Sequence, residues 1–295
     1  MAALFLSTRS RAPALLLAAA ALLGGCVTLT SEPRVLLERD DGSISVQTLA
    51  CGPAVSNALR PGTRPTRDGL DPDALRVVSW NIHKQADRGW QRDLQWMSRG
   101  HDLVLLQESV LDPQLRELIA GAGLRWVMAS SFLHGGSDIG VLTAARMAPI
   151  ANCTQRVVEP LLRIPKSAVI SWFALRDRSE TLAVVNVHAI NFSLSLGAYR
   201  AQFAAIGDAL ADHQGPMIVA GDLNTWTDER AKAVADLARR LKLTEVTFAV
   251  DRRSAFFGHE LDHIYMRGLV LVDSSTTAVS SSDHNPVAAT LRAAR

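Results

Sequence analysis

The sequence predicts an α/β fold in which two mixed β-sheets pack face to face and helices cover their outer sides. Short apolar runs of strand length alternate with longer segments of helical period along the chain. Some of the runs follow one another directly, as in hairpins, whereas others are separated by a helical segment. This mixture excludes a purely parallel, doubly wound sheet and suits two packed sheets flanked by helices. The 295 residues, 48% of them hydrophobic, suffice for one large domain with a short leader.

The predicted strands are apolar runs that end in polar residues. Leu103–Gln107 is an example, because its apolar run is too short for a helix and is therefore expected to form a buried strand. In chain order the predicted strands are Ser43–Leu49, Arg76–Ile82, Leu103–Gln107, Trp126–Ser130, Ile139–Thr143, Ala168–Leu175, Leu182–Val187, Met217–Ala220, Asp262–Met266 and Pro286–Leu291.

The predicted helices lie between these strands. Pro113 suits the first turn of one of them, where its missing N–H is not needed. The predicted helices are Gly89–Arg99, Asp112–Ala120, Leu196–Ala211 and Glu229–Leu241.

The N-terminus is typical of a targeting segment. Arg9 and Arg11 precede the apolar stretch Ala12–Leu23, which is too short for a permanent membrane-spanning helix. The stretch ends in Leu23-Gly24-Gly25-Cys26, which resembles a bacterial lipobox. We therefore predict a lipoprotein signal peptide at residues 1–25 and acylation of Cys26; a plain signal peptide is the alternative. Val27 after the cysteine resembles outer-membrane sorting, so we expect a lipid-anchored protein of the bacterial envelope on the periplasmic face of the outer membrane.

Residues 26–67 hold four prolines among scattered Gly, Ser and Thr and are predicted to be a tether. The catalytic-type domain is predicted to span residues 68–295. Cys51 and Cys153 are compatible with a disulfide in an oxidising envelope, or with two unrelated thiols.

The formal charge of +2 comes from Arg9 and Arg11. Without residues 1–25 the chain has 29 basic and 29 acidic residues, so its net charge is zero. A neutral body has no global field that draws it onto nucleic acid, although a local basic patch after Asn81 remains open.

One pair of polar residues follows the predicted strand Met217–Ala220. Asp222 and Asn224 lie two positions apart, so strand alternation would point both side chains the same way after the turn at Gly221. A carboxylate beside an amide is able to hold a water and accept its proton. By itself the pattern also fits an Asx turn.

Glu108 and Asn81 end two other predicted strands. A carboxylate at the end of a buried strand is costly unless it is paired or binds a metal, and Mg²⁺ takes few protein oxygen ligands. Glu108 is therefore a candidate metal ligand that shares the water shell of the ion with Asn81. Capping of the helix near Asp112 is the alternative reading of Glu108.

Histidines occupy the remaining strand ends. Asp283 and His284 open the last strand, and Asp262 is a candidate partner that fixes the tautomer of His284. His188 is a candidate donor to a phosphate oxygen, and Asn191 follows it three positions later. Taken alone, the Asp283-His284 dipeptide would more often be a solvated part of a loop, and His188 a structural residue with satisfied hydrogen bonds.

The motifs together resemble the endonuclease/exonuclease/phosphatase superfamily, the DNase I-like fold, and are most similar to a compact, YafD-like bacterial branch. The resemblance covers about residues 74–293. The motifs that carry it are Trp80-Asn81-Ile82-His83-Lys84, Leu106-Gln107-Glu108, Asn186-Val187-His188-Ala189, Gly221-Asp222-Leu223-Asn224-Thr225-Trp226, Leu261-Asp262-His263-Ile264 and Ser282-Asp283-His284-Asn285-Pro286.

The resemblance implies a four-layer α/β sandwich with a divalent-metal phosphoesterase site at one sheet edge. It implies a metal site of Glu108, Asn81 and Asp283, taking Mg²⁺ or Mn²⁺. It also implies phosphate contacts and catalytic groups that share several residues. The implied phosphate-binding residues are Asn81, His188, Asn191 and Asn224, and the implied catalytic residues are Asp222, His284, His188, Asp262 and Asn224.

The predicted function is metal-dependent hydrolysis of a phosphodiester by an activated water. Nucleic acid is slightly favoured as the substrate. The alternatives are a phospholipid or sphingomyelin-type phosphodiesterase, a phosphatase, and a non-catalytic binding lipoprotein on the same scaffold. We expect a monomer attached to the membrane through its N-terminus.

Overall fold

The computed structural model describes residues 27–39, 41–52, 66–193 and 195–294. The predicted signal peptide and the predicted lipidation site Cys26 lie outside these ranges. Among the helices of the described ranges, none is long and apolar enough to cross a membrane.

The structure contains strands and helices that alternate along the chain. The helices are α1 (Trp90–Gly100), α2 (Pro113–Gly121), α3 (Gly197–Ala209) and α4 (Asp228–Leu241). The strands are β1 (Val27–Thr28), β2 (Arg34–Glu38), β3 (Ile44–Gln47), β4 (Leu75–Asn81), β5 (Leu103–Val110), β6 (Arg125–His134), β7 (Ser137–Ala145), β8 (Ala151–Val158), β9 (Pro165–Ala174), β10 (Thr181–His188), β11 (Met217–Asp222), β12 (Thr244–Glu245), β13 (Ala255–Phe256), β14 (His259–Glu260), β15 (Asp262–Arg267), β16 (Leu269–Thr276) and β17 (Val287–Ala293).

Two mixed sheets form the centre of the domain. The first has the order β16-β17-β4-β5-β7-β6-β2-β3, with β1 also paired to β6, and the second has the order β12-β15-β11-β10-β9-β8. The pairs β4–β5 and β10–β11 are parallel. Their neighbours β17 and β15 run antiparallel to them. The carboxyl ends of the four parallel strands and the first residues of β15 and β17 therefore meet at one edge, which we call the polar edge.

Three apolar layers hold the sheets and helices together. Leu105 of the first sheet and Val184 of the second belong to the cluster between the sheets. Leu94 of α1 packs on the outer face of the first sheet, and Phe203 of α3 packs on the outer face of the second. The predicted four-layer α/β sandwich is thus confirmed.

The strands that were not predicted from the sequence are β1, β2, β8, β12, β13, β14 and β16, of which β8 and β16 are the longest. Both lie at an edge of a sheet, where one side has no neighbouring strand. Each presents many partly or fully exposed positions; β8 has no apolar run, whereas β16 begins with the short run Leu269–Val272, which was not assigned to a strand.

Part of the predicted tether is built into the domain. β2 pairs with β6 and β3 pairs with β2, and Val35 and Leu36 are buried. Cys51 forms a disulfide with Cys153 of β8, 102 positions later. The description of residues 26–67 as a tether therefore needs correction over β2 and β3, because these strands extend the first sheet.

Candidate active site

Asp222 lies at the centre of the polar edge. It ends β11 and is buried. Its Oδ2 accepts a hydrogen bond from Nδ2 of Asn81 at 3.1 Å, and its Oδ1 accepts one from the backbone N–H of Asn224 at 3.1 Å. Asn81 ends β4, so this carboxylate joins the two sheets.

The backbone around Asp222 explains why glycine occupies position 221 and asparagine position 224. Gly221 lies within β11, and a Cβ there would approach the carbonyl oxygen of Val187 to 2.0 Å. Glycine is thus needed for the close approach of β11 to β10, and not for the tight turn that the sequence suggested. Asn224 has a φ of 50°, a left-handed conformation that asparagine tolerates well. Its Nδ2 donates to the carbonyl of Ala189 at 3.1 Å, which fixes the side chain.

His284 and Asp262 form a buried pair beside Asp222. Nδ1 of His284 lies 2.7 Å from Oδ2 of Asp262, and its Nε2 lies 3.9 Å from Oδ2 of Asp222. Burial lowers the pKa of His284, but Asp262 and Asp222 outweigh it and raise the pKa to about 10. The imidazole is therefore protonated at neutral pH, with Nδ1–H directed at Asp262 and Nε2–H available as a donor.

The environment of Asp222 raises the pKa of its carboxyl group. Burial raises its pKa above the ordinary value, and Asp262 adds to this rise, whereas His284 lowers it. A buried carboxylate with a raised pKa is a stronger base than a solvated one. Asp222 and His284 therefore supply a base and an acid within 3.9 Å of each other.

His188 ends β10 and lies between two carboxylates. Its Nε2 is 3.4 Å from Oδ2 of Asp222 and 3.7 Å from Oε1 of Glu108. Nζ of Lys166 lies 2.8 Å from the same nitrogen. Burial, and then the charge of Lys166, lower the pKa of His188 well below its ordinary value. The ring is therefore neutral and accepts from Lys166 through Nε2.

Glu108 lies in β5 at an irregularity in the pairing of that strand with β7. Its φ of 53° is unusual for a non-glycine residue and turns its side chain toward the site. One oxygen accepts a hydrogen bond from Lys84, and the other lies 3.8 Å from Nζ of Lys166. Burial raises the pKa of Glu108, but the two lysines and His188 outweigh it and hold the pKa well below its ordinary value.

The residues around Glu108 fit a divalent cation. Glu108 supplies an ionised carboxylate. Asp222 supplies a second carboxylate close to it, since His188 contacts both groups. The Lys84 ammonium stands in for the cation and shows that positive charge is stabilised at this position. Few oxygen ligands from the protein, completed by water and substrate, are what Mg²⁺ commonly takes.

A second group of possible ligands consists of Asp222, Asp262 and His284, whose ligand atoms lie within 4.8 Å of one another. In this group Nδ1 of His284 contacts Asp262, and its Nε2 is the nitrogen that faces Asp222. Either this group or the Glu108 carboxylate could hold a cation.

Two predicted site residues lie away from this centre. The Asp283 side chain is 59% exposed, and the contact nearest to it from another motif is Nε2 of His83 at 3.9 Å. Oδ1 of Asn191 accepts from the indole N–H of Trp226 at 3.0 Å. The structure thus brings together Asn81, Glu108, His188, Asp222, Asn224, Asp262 and His284, but it does not place Asp283 at Glu108 or Asn191 at Asp222.

Sequence reasoning missed Lys166, which contacts both His188 and Glu108. It lies near the start of β9, outside every motif, and only the pairing of β9 with β10 brings it to the site. Asn186 was predicted as part of a site motif, but it has a structural task. Its amide donates to the carbonyls of Leu106 and Leu142 and accepts from Gln107, which ties the two sheets together behind the site.

Comparison with known proteins places these observations in a family. A family model described as "Endonuclease/Exonuclease/phosphatase family" matches residues 62–284. A UPF0294 protein of Yersinia pseudotuberculosis is 41% identical over 215 residues, which are 73% of this chain and 82% of the relative.

Two solved structures have a similar fold. The human Nocturnin catalytic domain with a bound sulfate anion has a TM-score of 0.58 and 20% identity, with 78% of this chain and 100% of that chain covered. ANGEL2, a 2′,3′-cyclic phosphatase in complex with adenosine-2′,3′-vanadate, has a TM-score of 0.59 and 13% identity, with 79% and 99% covered. Both likenesses concern the fold.

Proposed function

Because this chain belongs to the endonuclease/exonuclease/phosphatase family, we propose that it is a magnesium-dependent hydrolase that cleaves phosphodiester bonds by in-line attack of water. Members of this family are generally phosphoesterases that depend on a divalent metal. The single observation that carries the proposal is the convergence of Asp222, His284, His188 and Glu108, which come from both sheets, within contact distance at one edge.

Asp222 is the base of the proposed reaction. Its Oδ1 and Oδ2 are fixed by Asn224 and Asn81, so that the carboxylate is oriented before a substrate arrives. It accepts a proton from the attacking water, and its raised pKa makes this transfer favourable.

His284 is the acid and oxyanion donor. Asp262 holds its Nδ1–H, which leaves Nε2–H directed toward the space beside Asp222. A donor held in this way stabilises the charge that develops on the phosphate oxygens. Lys166 and the amide of Asn224 add positive charge and polarity to the same region.

Glu108, with Asn81 on the neighbouring strand, would hold the metal and leave Asp222 to act as the base. When bound, a magnesium ion offsets the negative charge of the phosphate and polarises its P–O bonds. Lys84, which pairs with Glu108 in the structure, would be available to a substrate phosphate if an ion occupied this position. Nocturnin holds a sulfate and ANGEL2 a vanadate adduct of adenosine, and anions of this kind resemble what the proposed substrate presents.

We expect the purified chain to hydrolyse a diester in the presence of Mg²⁺ or Mn²⁺ and to lose this activity in EDTA. Plasmid DNA, single-stranded DNA, phospholipid vesicles and a phosphomonoester are assayed in parallel, so that the same experiment identifies the class of substrate. The sequence slightly favoured nucleic acid, and that preference remains a prediction.

A variant pair controls this experiment. His284→Gln is expected to lower the rate by roughly 10² to 10⁴-fold, the usual contribution of a general acid or base. His213→Gln is the matched control, because His213 bonds the carbonyl of Pro216 away from the polar edge. Hydrolysis of none of the four substrates by the wild-type chain would refute the proposal in favour of a non-catalytic binding protein.

A further inference from the structure

The N-terminal segment enters the domain at the polar edge. Val27 pairs with His134 and Thr28 with Leu133, at the tip of the β6–β7 hairpin. Just after this tip, Ile139 and Gly140 of β7 pair with Val110 and Ser109 of β5. Ser109 and Val110 directly follow Glu108 in the chain. The first described residue therefore lies at the same end of the molecule as the candidate active site.

Arg156 fixes this position of the segment. Its guanidinium donates to the carbonyl of Thr30 at 2.5 Å and to the carbonyl of Ser131 at 3.1 Å. Cys26, the predicted lipid attachment site, directly precedes Val27 in the chain. A lipid on Cys26 would therefore join the chain one residue before β1, which pairs at the end of the molecule that holds the polar edge.

Exposed apolar side chains surround the same edge. We call Leu161, Leu162, Phe192 and Phe257 the apolar rim; Leu161 is 54% exposed and Phe257 is 76% exposed. Leu161 and Leu162 belong to the loop between β8 and β9, which leads directly into Lys166 of the site. Exposed large apolar residues that gather in one region indicate contact with a partner or a membrane.

Hydrogen bonds and ring contacts join the loops of the apolar rim. Oε1 of the buried Glu159 accepts from the backbone N–H groups of Asn191 and Phe192 at 2.8 and 2.7 Å. Asn191 accepts from the indole of Trp226, and this ring lies edge-on to Phe256, 6.3 Å away, in the hairpin that carries Phe257. The loops that carry the rim residues are therefore linked to one another beside the catalytic groups.

From these two observations we propose that the apolar rim rests on the membrane that carries the N-terminal lipid, so that the site opens toward the bilayer surface. The inference rests on the proposed function, because it takes the site to cleave a phosphodiester. It names that phosphodiester as one in a lipid headgroup. The exposed Arg163 beside Leu162 suits the anionic surface of a bilayer. The zero net charge of the chain without residues 1–25 gives no corresponding reason for tight binding of nucleic acid.

A pair of labelled variants tests the orientation. Cys51 and Cys153 are bonded, and Cys26 is the lipidation site, so an introduced cysteine is the only free thiol of the full chain. Leu161→Cys carries a fluorophore at the rim. Ile150→Cys is the matched control, because Ile150 precedes β8 whereas Leu161 follows its end, roughly 25 Å away along an extended strand.

In vesicles of phosphatidylethanolamine and phosphatidylglycerol that contain the lipidated chain, we expect lipids with a spin label to quench the fluorophore at position 161 and not that at position 150. Equal quenching at the two positions, or quenching at neither, would overturn the proposed orientation. A wild-type chain that does not fractionate with membranes would overturn it as well.

Activity measurements test the substrate class separately. The double variant Leu161→Ser, Leu162→Ser and the single variant Phe257→Asn are compared with Ile150→Ser; asparagine suits the φ of 51° at position 257. We expect hydrolysis of vesicle phospholipid to fall by about tenfold or more in the rim variants, while hydrolysis of the soluble diester bis(4-nitrophenyl) phosphate stays within about twofold of wild type. Ile150→Ser should change neither.

The two failures are distinguishable. A wild-type chain that leaves the soluble diester intact contradicts the proposed function, whereas the fluorescence experiment still reports the orientation. Rim variants that keep full activity on vesicles contradict the inference, and so do rim variants that lose cleavage of a single-stranded oligonucleotide instead, because the rim would then bind bases.

Discussion

Asp222→Asn is expected to lower kcat for diester hydrolysis by roughly 10² to 10⁴-fold and to leave the fold intact. Asparagine keeps the size of the side chain, and its oxygen is still able to accept from the backbone N–H of Asn224. It cannot accept a proton, so the attacking water loses its base. Steady-state kinetics on a soluble diester, together with circular dichroism of the same preparation, measure the two parts of this prediction.

The matched control for this variant is Asp236→Asn. Asp236 is an exposed carboxylate of α4 that pairs with Arg239 of the same helix. Its replacement should leave kcat within about twofold, as is usual for surface substitutions. Near-normal turnover by Asp222→Asn would show that another group prepares the water.

Glu108→Gln is expected to raise the Mg²⁺ concentration needed for half-maximal rate by about 100-fold or more. Loss of a group that merely orients a ligand costs about 10 to 100-fold in metal affinity, so loss of the ligand itself should cost at least as much. The variant also removes the charge that Lys84 and Lys166 now neutralise, which leaves two lysines without their shared partner. A metal titration of the hydrolysis rate measures the effect.

Glu117→Gln is the control for that titration, because Glu117 is exposed on α2 and has no part in the site. The control should reproduce the wild-type titration curve. If Glu108→Gln titrated with Mg²⁺ like the wild type, the cation would bind elsewhere, and the group of Asp222, Asp262 and His284 would be the alternative.

The sequence located most of the site because strand ends are visible in it. Asn81, Glu108, His188 and Asp222 each end or nearly end an apolar run, and parallel neighbours bring such ends to one edge. The pairing of Asp262 with His284 was predicted from the need of an imidazole for a partner, and the structure places them 2.7 Å apart.

The residues that the sequence did not predict depend on pairing between distant strands. Lys166 enters the site only because β9 runs antiparallel to β10, which no local pattern reveals. The strands β8 and β16 lie at sheet edges, where many of their side chains are exposed. In the same way, the contact of Val27 with the β6–β7 hairpin depends on a pairing across more than 100 positions.

The position of the metal tests the central claim most directly, since the proposed chemistry requires a cation at Glu108 and an acid–base group beside it. Anomalous scattering from crystals soaked in Mn²⁺ locates the ion without reference to activity. We predict one manganese peak bonded to the Glu108 carboxylate, with the Lys84 ammonium displaced from it. A peak among Asp222, Asp262 and His284, or an undisturbed ion pair between Lys84 and Glu108 with no peak at the polar edge, would contradict the account.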